Sequence, residues 1–330
     1  MYDKSWSRSI KMSYFCRKID VMRKVHFISV EEPLMLDLAL AIREKGYEVS
    51  ASGEGLDECV LSKLREAGCA CAGAGWFPEN LNKDIHAVVL GATVLKDNPE
   101  LMRAKELGLL IQSIPEFIYQ RTRTKTRVVV AGSRGKKTIL SMIVCALERQ
   151  KLAFDYALTS ALPVLPNRVH SSYESRIALI EGDEHVTSAL EKRFQLEFYR
   201  PHIAVLAYLS WSAETDHESP EAYLKTYNAF STSIEREGKL IYYGKDAGLS
   251  QLAEEVRSDI TAIPYDQHPV VEKEGQTFLQ TRYGDYPIRI PNRYFLINLN
   301  AAHLACRQLG VRDTNFYEAL SEYSLSLPVL

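Results

Sequence analysis

One short stretch of the chain has the residue types and the spacing that bind phosphate. An apolar run at residues 128–131, directly after Arg127, predicts a buried strand, and residues 139–147 show helical periodicity. The loop between them consists of Gly132, Ser133, Arg134, Gly135, Lys136, Lys137 and Thr138. In such a unit, backbone N–H groups at the helix N-terminus face the phosphates, a lysine reaches the terminal phosphates and a hydroxyl ligates Mg²⁺. Gly135 and Lys136 fit the first two roles, which predicts a nucleotide-phosphate site.

The hydroxyl that would ligate Mg²⁺ is not in its usual place. Lys137 directly follows Lys136, and the hydroxyl of Thr138 comes one position later. A second ammonium neutralises phosphate but cannot hold a cation, so Arg134 and Lys137 favour a metal-free anion. ATP and Mg²⁺ are candidate cofactors, and the alternative is a loop that only helps to form the fold.

Three carboxylates, those of Glu181, Asp183 and Glu184, follow a second predicted strand at residues 176–181. Carboxylate oxygens at a strand end suit a hard cation such as Mg²⁺. The alternative is a solvated strand end whose negative charge favours the N-terminus of a helix. The spacing alone leaves both interpretations open.

Composition limits the classes of function. The 330 residues are 46% hydrophobic, which is enough for two domains with cores of their own. A net charge of −2 gives no field that would attract nucleic acid or an anionic membrane. No apolar run approaches the roughly 18–20 residues of a membrane span, and no secretion signal is recognisable. We expect a cytoplasmic protein.

Strands alternate with helices along most of the chain, which predicts an α/β fold with parallel sheets. We predict a poorly ordered extension at residues 1–24 and a small doubly wound domain at residues 25–118. Residues 119–126 are polar and basic, which is typical of a solvated linker. Residues 127–330 then form a second domain of the P-loop type, with two closing helices at residues 298–309 and 315–323.

The chain resembles the Mur ligase family. The resemblance rests on the loop, on the acidic run from Glu181 to Glu184 and on the segment from Asn298 to Ala302, in this order, with further matches from residue 25 to residue 323. It implies a Rossmann-like N-terminal domain that binds a UDP-sugar, a central ATPase domain, and a C-terminal domain for the incoming amine. It also implies an acyl-phosphate mechanism in which Lys136 and Glu181 are catalytic, Thr138 and Glu181 hold Mg²⁺, and Asn298 contacts the nucleotide.

The chain departs from the family pattern at several positions. Glu31 and Glu32 stand where the family has a glycine-rich turn for the diphosphate, and Lys137 replaces a metal-binding hydroxyl. An Asp-His pair that helps to hold a second metal is absent at its aligned place, although Asp216 and His217 follow four residues later. If that segment were helical, they would lie on the same face one turn on. The C-terminal domain is missing from the sequence, which ends at residue 330.

Two functions follow from this pattern. The first is a Mur-ligase-like pseudoenzyme of peptidoglycan recycling or biosynthesis that has lost ligation and acts by binding. Its expected partners are a nucleotide, a UDP-sugar, a genuine Mur ligase or a second copy of itself. The alternative is an active ATP-dependent carboxylate–amine ligase that joins a peptide to UDP-N-acetylmuramate.

Overall fold

The computed structural model of the chain describes residues 23–188, 190–289 and 292–326. The chain divides into two compact units. The first is built mainly from residues before Ile118 and also includes residues 169–173 and 187–192, and the second contains the rest. Most of the predicted extension at residues 1–24 lies outside the described residues, and the first strand of the described part begins at Lys24.

The first unit contains a parallel sheet with helices between its strands. The strands are β1 (Lys24–Ile28), β2 (Glu48–Ser52), β3 (Ile85–Leu90) and β4 (Ile111–Ser113). The helices are α1 (Pro33–Glu44), α2 (Glu58–Glu66) and α3 (Pro99–Leu107), and α4 (Ile114–Thr122) follows β4. The strands lie in the order β2-β1-β3-β4. The chain therefore leaves β1 on one side, reaches β2, and then crosses over β1 to β3.

Apolar side chains between this sheet and its helices form the core of the first unit. The cluster consists of Ile28, Leu81, Ile85, Val88, Leu90, Val94, Leu101 and Ala104. On α1, Leu38 and Ile42, which are four residues apart, are both buried. The pattern with a period of 3.6 residues thus identifies the face that α1 turns to the core.

The second unit contains a larger parallel sheet. Its strands are β5 (Thr126–Ala131), β6 (Phe154–Ala157), β8 (Ile177–Glu181), β11 (Ile203–Leu206), β12 (Lys239–Tyr243) and β13 (Thr261–Tyr265). Their order in the sheet is β13-β12-β11-β5-β8-β6. Of three further short strands, β7 (Val169–His170) belongs to the first unit, and β9 (Val186–Ser188) and β10 (Glu191–Phe194) each contain residues of both units. Since β5 lies between β8 and β11, the segments that follow these three strands meet at one edge of the sheet.

Helices and a small antiparallel sheet complete the second unit. The helices are α5 (Lys136–Arg149), α6 (Pro220–Thr232), α7 (Ala247–Glu254), α8 (Arg293–Gln308) and α9 (Asp313–Ser326). The small sheet consists of β14 (Val270–Lys273), β15 (Gln276–Thr281) and β16 (Gly284–Ile288), and β15 and β16 form an antiparallel hairpin. Together with the parallel sheets, these helices confirm the predicted α/β class.

Regular structure replaces the solvated linker predicted at residues 119–126. Helix α4 continues to Thr122, β5 begins at Thr126, and Lys125 and Arg127 are buried. The Lys125 ammonium lies 2.5 Å from a carboxylate oxygen of Asp155. The composition suggested solvent because charged residues are rarely buried, but a buried charge is tolerated when it is paired and hydrogen-bonded.

Within the described residues, none of the helices has both the length and the apolar character needed to cross a bilayer.

Candidate functional site

The loop at residues 132–138 follows β5 at the edge of the large sheet, and two of its positions require glycine. Gly132 and Gly135 have φ angles of 126° and 89°, in the region that L side chains rarely adopt. A Cβ at residue 132 would lie 3.0 Å from the carbonyl oxygen of Tyr208, and one at residue 135 would lie 2.6 Å from Oδ1 of Asn298. The loop backbone is therefore packed too closely for side chains at both places.

Ser133 ties the loop to neighbouring segments of the same unit. Its N–H donates to the carbonyl of Tyr208 at 2.7 Å, and its hydroxyl accepts the N–H of Ser210 at 2.7 Å. The same hydroxyl lies 2.6 Å from the hydroxyl of Tyr223 on α6. Protein contacts alone thus hold the loop in this conformation.

Helix α5 begins at Lys136, directly after the loop, and presents a cationic N-terminus. Ile139 donates its N–H to the carbonyl of Gly135 at 3.0 Å, so the N–H groups of residues 136–138 precede the helical ladder. The side chains of Arg134 and Lys137 are exposed beside them. Free N–H groups, the positive end of a 14-residue helix and several cationic side chains make a site for an anion such as a phosphate group.

A cavity of about 430 Å³ lies beside this helix N-terminus. It is lined by Arg134, Gly135, Ala207, Tyr208, Tyr243, Arg293, Tyr294, Ile297 and Asn298. Two arginines supply positive charge, and three tyrosines supply flat apolar faces. Tyr294 is 78% exposed, which is unusual for a large aromatic side chain that packs only against its own chain. A planar ring attached to a phosphate chain suits this combination.

Glu181 ends β8, next to β5, and its carboxylate is buried and already hydrogen-bonded. It is 2% exposed. The N–H of Ser160 donates to its Oε2 at 3.1 Å, and the Ser160 hydroxyl lies 2.9 Å from Oε2 and 3.1 Å from Oε1. Both carboxylate oxygens therefore have a protein donor, and a metal ion would have to compete with Ser160 for them.

Glu184, three residues after the end of β8, is held in a similar way by two tyrosines on α6. The hydroxyls of Tyr223 and Tyr227 donate to its Oε2 at 2.9 Å and 2.6 Å. Burial raises the pKa of Tyr223 to about 12 and raises the pKa of Tyr227 well above its ordinary value. Both hydroxyls stay protonated at neutral pH and act as donors.

Asp216 and His217 lie in a loop, so the helical segment on which their suggested metal-binding role depended is not formed. Asp216 accepts the N–H of Val186 at 2.9 Å and lies 3.1 Å from Nδ1 of His185. The pKa of Asp216 is lowered, mainly by this hydrogen bond from the Val186 N–H. His217 is buried and stacks on Phe194, with ring centroids 4.1 Å apart. Its pKa is lowered, mainly by burial.

The donor set therefore does not fit the Mg²⁺ ion that the family resemblance implies. Among the residues that the structure describes, no three His, Cys, Asp or Glu side chains are grouped closely enough to hold a metal ion. The carboxylate expected to ligate Mg²⁺, Glu181, is bound by Ser160, and Lys137 follows the loop lysine where a hydroxyl is needed.

The chain is similar in sequence to cell-wall ligases, although no model of a protein family matches it. It is 27% identical over 323 residues to the UDP-N-acetylmuramate–L-alanine ligase of Carboxydothermus hydrogenoformans, covering 93% of this chain and 67% of that one. It is 29% identical over 321 residues to the enzyme of the same name from Paenarthrobacter aurescens, with the same two coverages. The chain spans about two thirds of the length of these curated relatives.

Solved structures show the same fold. The murein peptide ligase structure from Neisseria meningitides superposes with a TM-score of 0.77 at 20% identity, covering 94% of this chain and 99% of that one. The murein peptide ligase of Psychrobacter arcticus gives a TM-score of 0.76 at 18% identity, covering 91% of this chain and 68% of that one. In sequence and in fold, the chain is therefore similar to ligases of the Mur family.

The structure brings most of the sequence-predicted site residues together. The loop residues 132–138 follow β5, and Asn298 on α8 lies close to Gly135 and lines the same cavity. Glu181 ends β8, the strand that pairs with β5. The spacing of the loop pointed to the phosphate site, whereas the position of Asn298 came from the family resemblance alone.

The sequence does not identify several residues that shape this site. They are Ser160, Tyr208, Tyr223, Tyr227, Arg293 and Tyr294. They lie in segments far apart in sequence, and none of them forms a motif. A serine or tyrosine that donates one hydrogen bond leaves no periodic signal, so only the folded structure identifies these partners.

Proposed function

We propose that this Mur-family protein binds the phosphate groups of a nucleotide such as ATP without Mg²⁺, and that it acts by binding rather than by ligation. The observation that carries the proposal is the occupied carboxylate of Glu181, whose two oxygens accept hydrogen bonds from Ser160. Lys137 supplies a charge at the position where a metal ligand would be needed.

Cationic groups in the loop can replace the charge that a metal normally brings. Arg134, Lys136 and Lys137 stand at the N-terminus of α5, and Arg293 lines the adjoining cavity. A nucleoside triphosphate repels itself strongly, and either Mg²⁺ or several cationic side chains can offset that repulsion. Cationic side chains are fixed to the chain and, unlike a metal ion, do not exchange ligands. This arrangement suits stable binding of the nucleotide.

The cavity fits the remainder of a nucleotide. Its tyrosines, Tyr208, Tyr243 and Tyr294, offer aromatic faces on which a base can stack. Asn298 offers both a carbonyl oxygen and an amide, so it can pair with a base edge or a ribose hydroxyl. These features support a nucleotide rather than inorganic phosphate as the ligand.

In this proposal the protein belongs to peptidoglycan metabolism in the cytoplasm and works as a pseudoenzyme. A binding role leaves three kinds of partner for the protein: a UDP-sugar, an active Mur ligase or a second copy of the chain. The family supports this context, since the sequence relatives are ligases that act on UDP-N-acetylmuramate.

Calorimetric titration of the purified chain with ATP in EDTA tests the binding. We expect saturable binding to wild type and a loss of at least about tenfold in affinity in Lys136→Ala, because a charge-assisted contact to phosphate is removed. Lys225→Ala removes an exposed lysine from α6 and serves as the matched control. Absence of binding to wild type would contradict the proposal.

The names of the sequence relatives favour a second function, that of an active ATP-dependent carboxylate–amine ligase. Incubating the protein with ATP, Mg²⁺, UDP-N-acetylmuramate and L-alanine, or the murein tripeptide, distinguishes the two. Release of ADP that depends on both substrates would establish ligation and overturn the pseudoenzyme proposal.

A further inference from the structure

The first unit has a crevice where open α/β sheets usually bind ligands. Strand β1 lies between β2 and β3, and the chain reaches these neighbours on opposite sides of β1. Such a change of direction opens a crevice beyond the carboxyl ends of the strands. Glycines follow both neighbours, Gly53 after β2 and Gly91 after β3.

The carboxylate of Glu32, from the turn between β1 and α1, lies in this crevice and has three donors. The N–H of Ala92 donates to its Oε2 at 3.2 Å. The N–H of Thr93 donates to Oε1 at 3.1 Å, and the Thr93 hydroxyl donates to the same oxygen at 2.9 Å. Two adjacent backbone N–H groups and a hydroxyl that converge on one carboxylate form a cradle for an anion.

Both glycines leave room for the glutamates rather than for an external ligand. A Cβ on Gly91 would lie 2.7 Å from Oε1 of Glu32, and a Cβ on Gly53 would collide with Oε2 of Glu31. That oxygen of Glu31 is buried with no hydrogen-bond partner among the described residues. Burial is also the main reason why the pKa of Glu31 is raised. The two side chains thus cover the crevice from the β2 side and from the β3 side.

We propose that Glu32 is a built-in ligand that fills a phosphate-type anion site formed by the N–H groups of Ala92 and Thr93 and the hydroxyl of Thr93. A carboxylate and a phosphate present the same pattern of oxygen acceptors to such donors, so each excludes the other. The native chain therefore keeps phosphate and diphosphate groups out of this crevice, and a UDP-sugar partner would have to bind outside it. This inference concerns a different unit from the proposed nucleotide site and does not depend on it.

Hydrogen exchange at the amides of residues 92 and 93 tests the inference. In wild type, both amides are protected, and inorganic pyrophosphate leaves their exchange unchanged. In Glu32→Ala, both exchange at least about tenfold faster because their acceptor is gone, and pyrophosphate restores the protection. Glu44→Ala removes an exposed glutamate from the end of helix α1 and behaves like wild type.

Three results would overturn the inference. The first is exchange at the wild-type rate in Glu32→Ala. The second is faster exchange in Glu32→Ala that pyrophosphate does not slow. The third is exchange in wild type that pyrophosphate does slow. If Glu32→Ala does not fold, Glu32→Met, which keeps the side-chain length but has no oxygen acceptor, is judged by the same criteria. Protection by ADP as well as pyrophosphate extends the site to a nucleoside diphosphate, and protection by pyrophosphate alone limits it to phosphate. Because the readout is local, failure of ATP binding in the second unit would not affect it.

Discussion

Ser160 donates to the buried carboxylate of Glu181 through both its backbone N–H, 3.1 Å from Oε2, and its hydroxyl, 2.9 Å from the same oxygen. A carboxylate bound in this way is a poor metal ligand unless its donor is removed. The neighbouring loop presents Lys137 where a hydroxyl would complete the coordination. Cationic side chains and a metal ion are therefore alternative sources of positive charge at this site.

Combining Lys137→Thr with Ser160→Ala should create a Mg²⁺-dependent ATP site. The first change adds a hydroxyl beside Lys136, and the second frees a face of Glu181, so two oxygen ligands become available. We expect Mg²⁺ to tighten ATP binding at least about tenfold in the double variant. Lys137→Ala with Ser160→Ala is the matched control, since it removes the same groups but adds no hydroxyl. Equal Mg²⁺ dependence of the two variants, measured by calorimetry, would contradict the prediction.

Replacing Gly135 with Ala should disturb nucleotide binding beyond its cost to folding. Residue 135 has a φ of 89°, and its new Cβ would lie 2.6 Å from Oδ1 of Asn298. Gly275→Ala is the matched control, because its φ is 78° and nothing lies within 4 Å of the added Cβ. Both variants should lose about 1–2 kcal/mol in unfolding free energy from the backbone conformation. Only Gly135→Ala should also lose ATP affinity, by about tenfold or more.

Arg127 should contribute far more to stability than Arg200, although both lie near the same carboxylate. Arg127 is 1% exposed and donates to backbone carbonyls of Tyr199 and Thr122 as well as to Glu235 at 2.9 Å. Arg200 reaches Glu235 at 3.4 Å, and its side chain is 53% exposed. Arg127→Leu should lower the unfolding free energy by about 3–5 kcal/mol and Arg200→Leu by less than about 1 kcal/mol. Urea unfolding measures both, and equal losses would show that burial of Arg127 adds nothing.

Buried histidines should make the protein less stable below neutral pH. His268 and His303 share Tyr317 as a partner, and burial is the main cause that lowers the pKa of both. Since the unfolded chain then binds more protons, their contribution to stability is present above the ordinary histidine pKa of about 6.5 and is lost as the pH falls below it. Asp313 opposes this shift for His303 but does not cancel it.

His268→Gln tests this pH dependence. We expect a smaller loss of unfolding free energy between pH 7.5 and pH 5.5 than in wild type, measured by urea unfolding at about these two values. His86→Gln changes an exposed histidine in the first unit and should keep the wild-type pH dependence. A variant His268→Gln that loses as much stability as wild type would rule out a role for this ring.

The sequence predicts most of the sheet framework because strands and helices leave periodic signals. The strands β5 and β8 and the helix α5 appear close to their expected positions, and Ile139, Ile143, Ala146 and Leu147 on α5 are buried. Strand β13 was not predicted, since Pro264 interrupts its short apolar pattern. The sequence assigns the end of helix α4 to a linker, because the basic residues around it suggest exposure to solvent. Lys125 and Arg127 are nevertheless buried, which their charge does not predict.

The candidate site was predictable only where it is local in sequence. The loop residues 132–138 form a motif, and their role at a strand–helix junction follows from their spacing. The partners that decide its chemistry, Ser160 for Glu181 and the α6 tyrosines for Glu184, come from distant segments. Which carboxylates are free to bind a metal is a property of the folded chain.

The affinity of the unmodified protein for ATP, measured by calorimetry in EDTA and again with Mg²⁺ in excess, tests metal-free nucleotide binding most directly. The positive charge of Arg134, Lys136 and Lys137 and the occupied carboxylate of Glu181 predict binding in EDTA, with Mg²⁺ changing the affinity by less than about threefold. Binding that requires Mg²⁺ would show that Glu181 exchanges Ser160 for a metal ion, and it would contradict metal-free binding of the nucleotide.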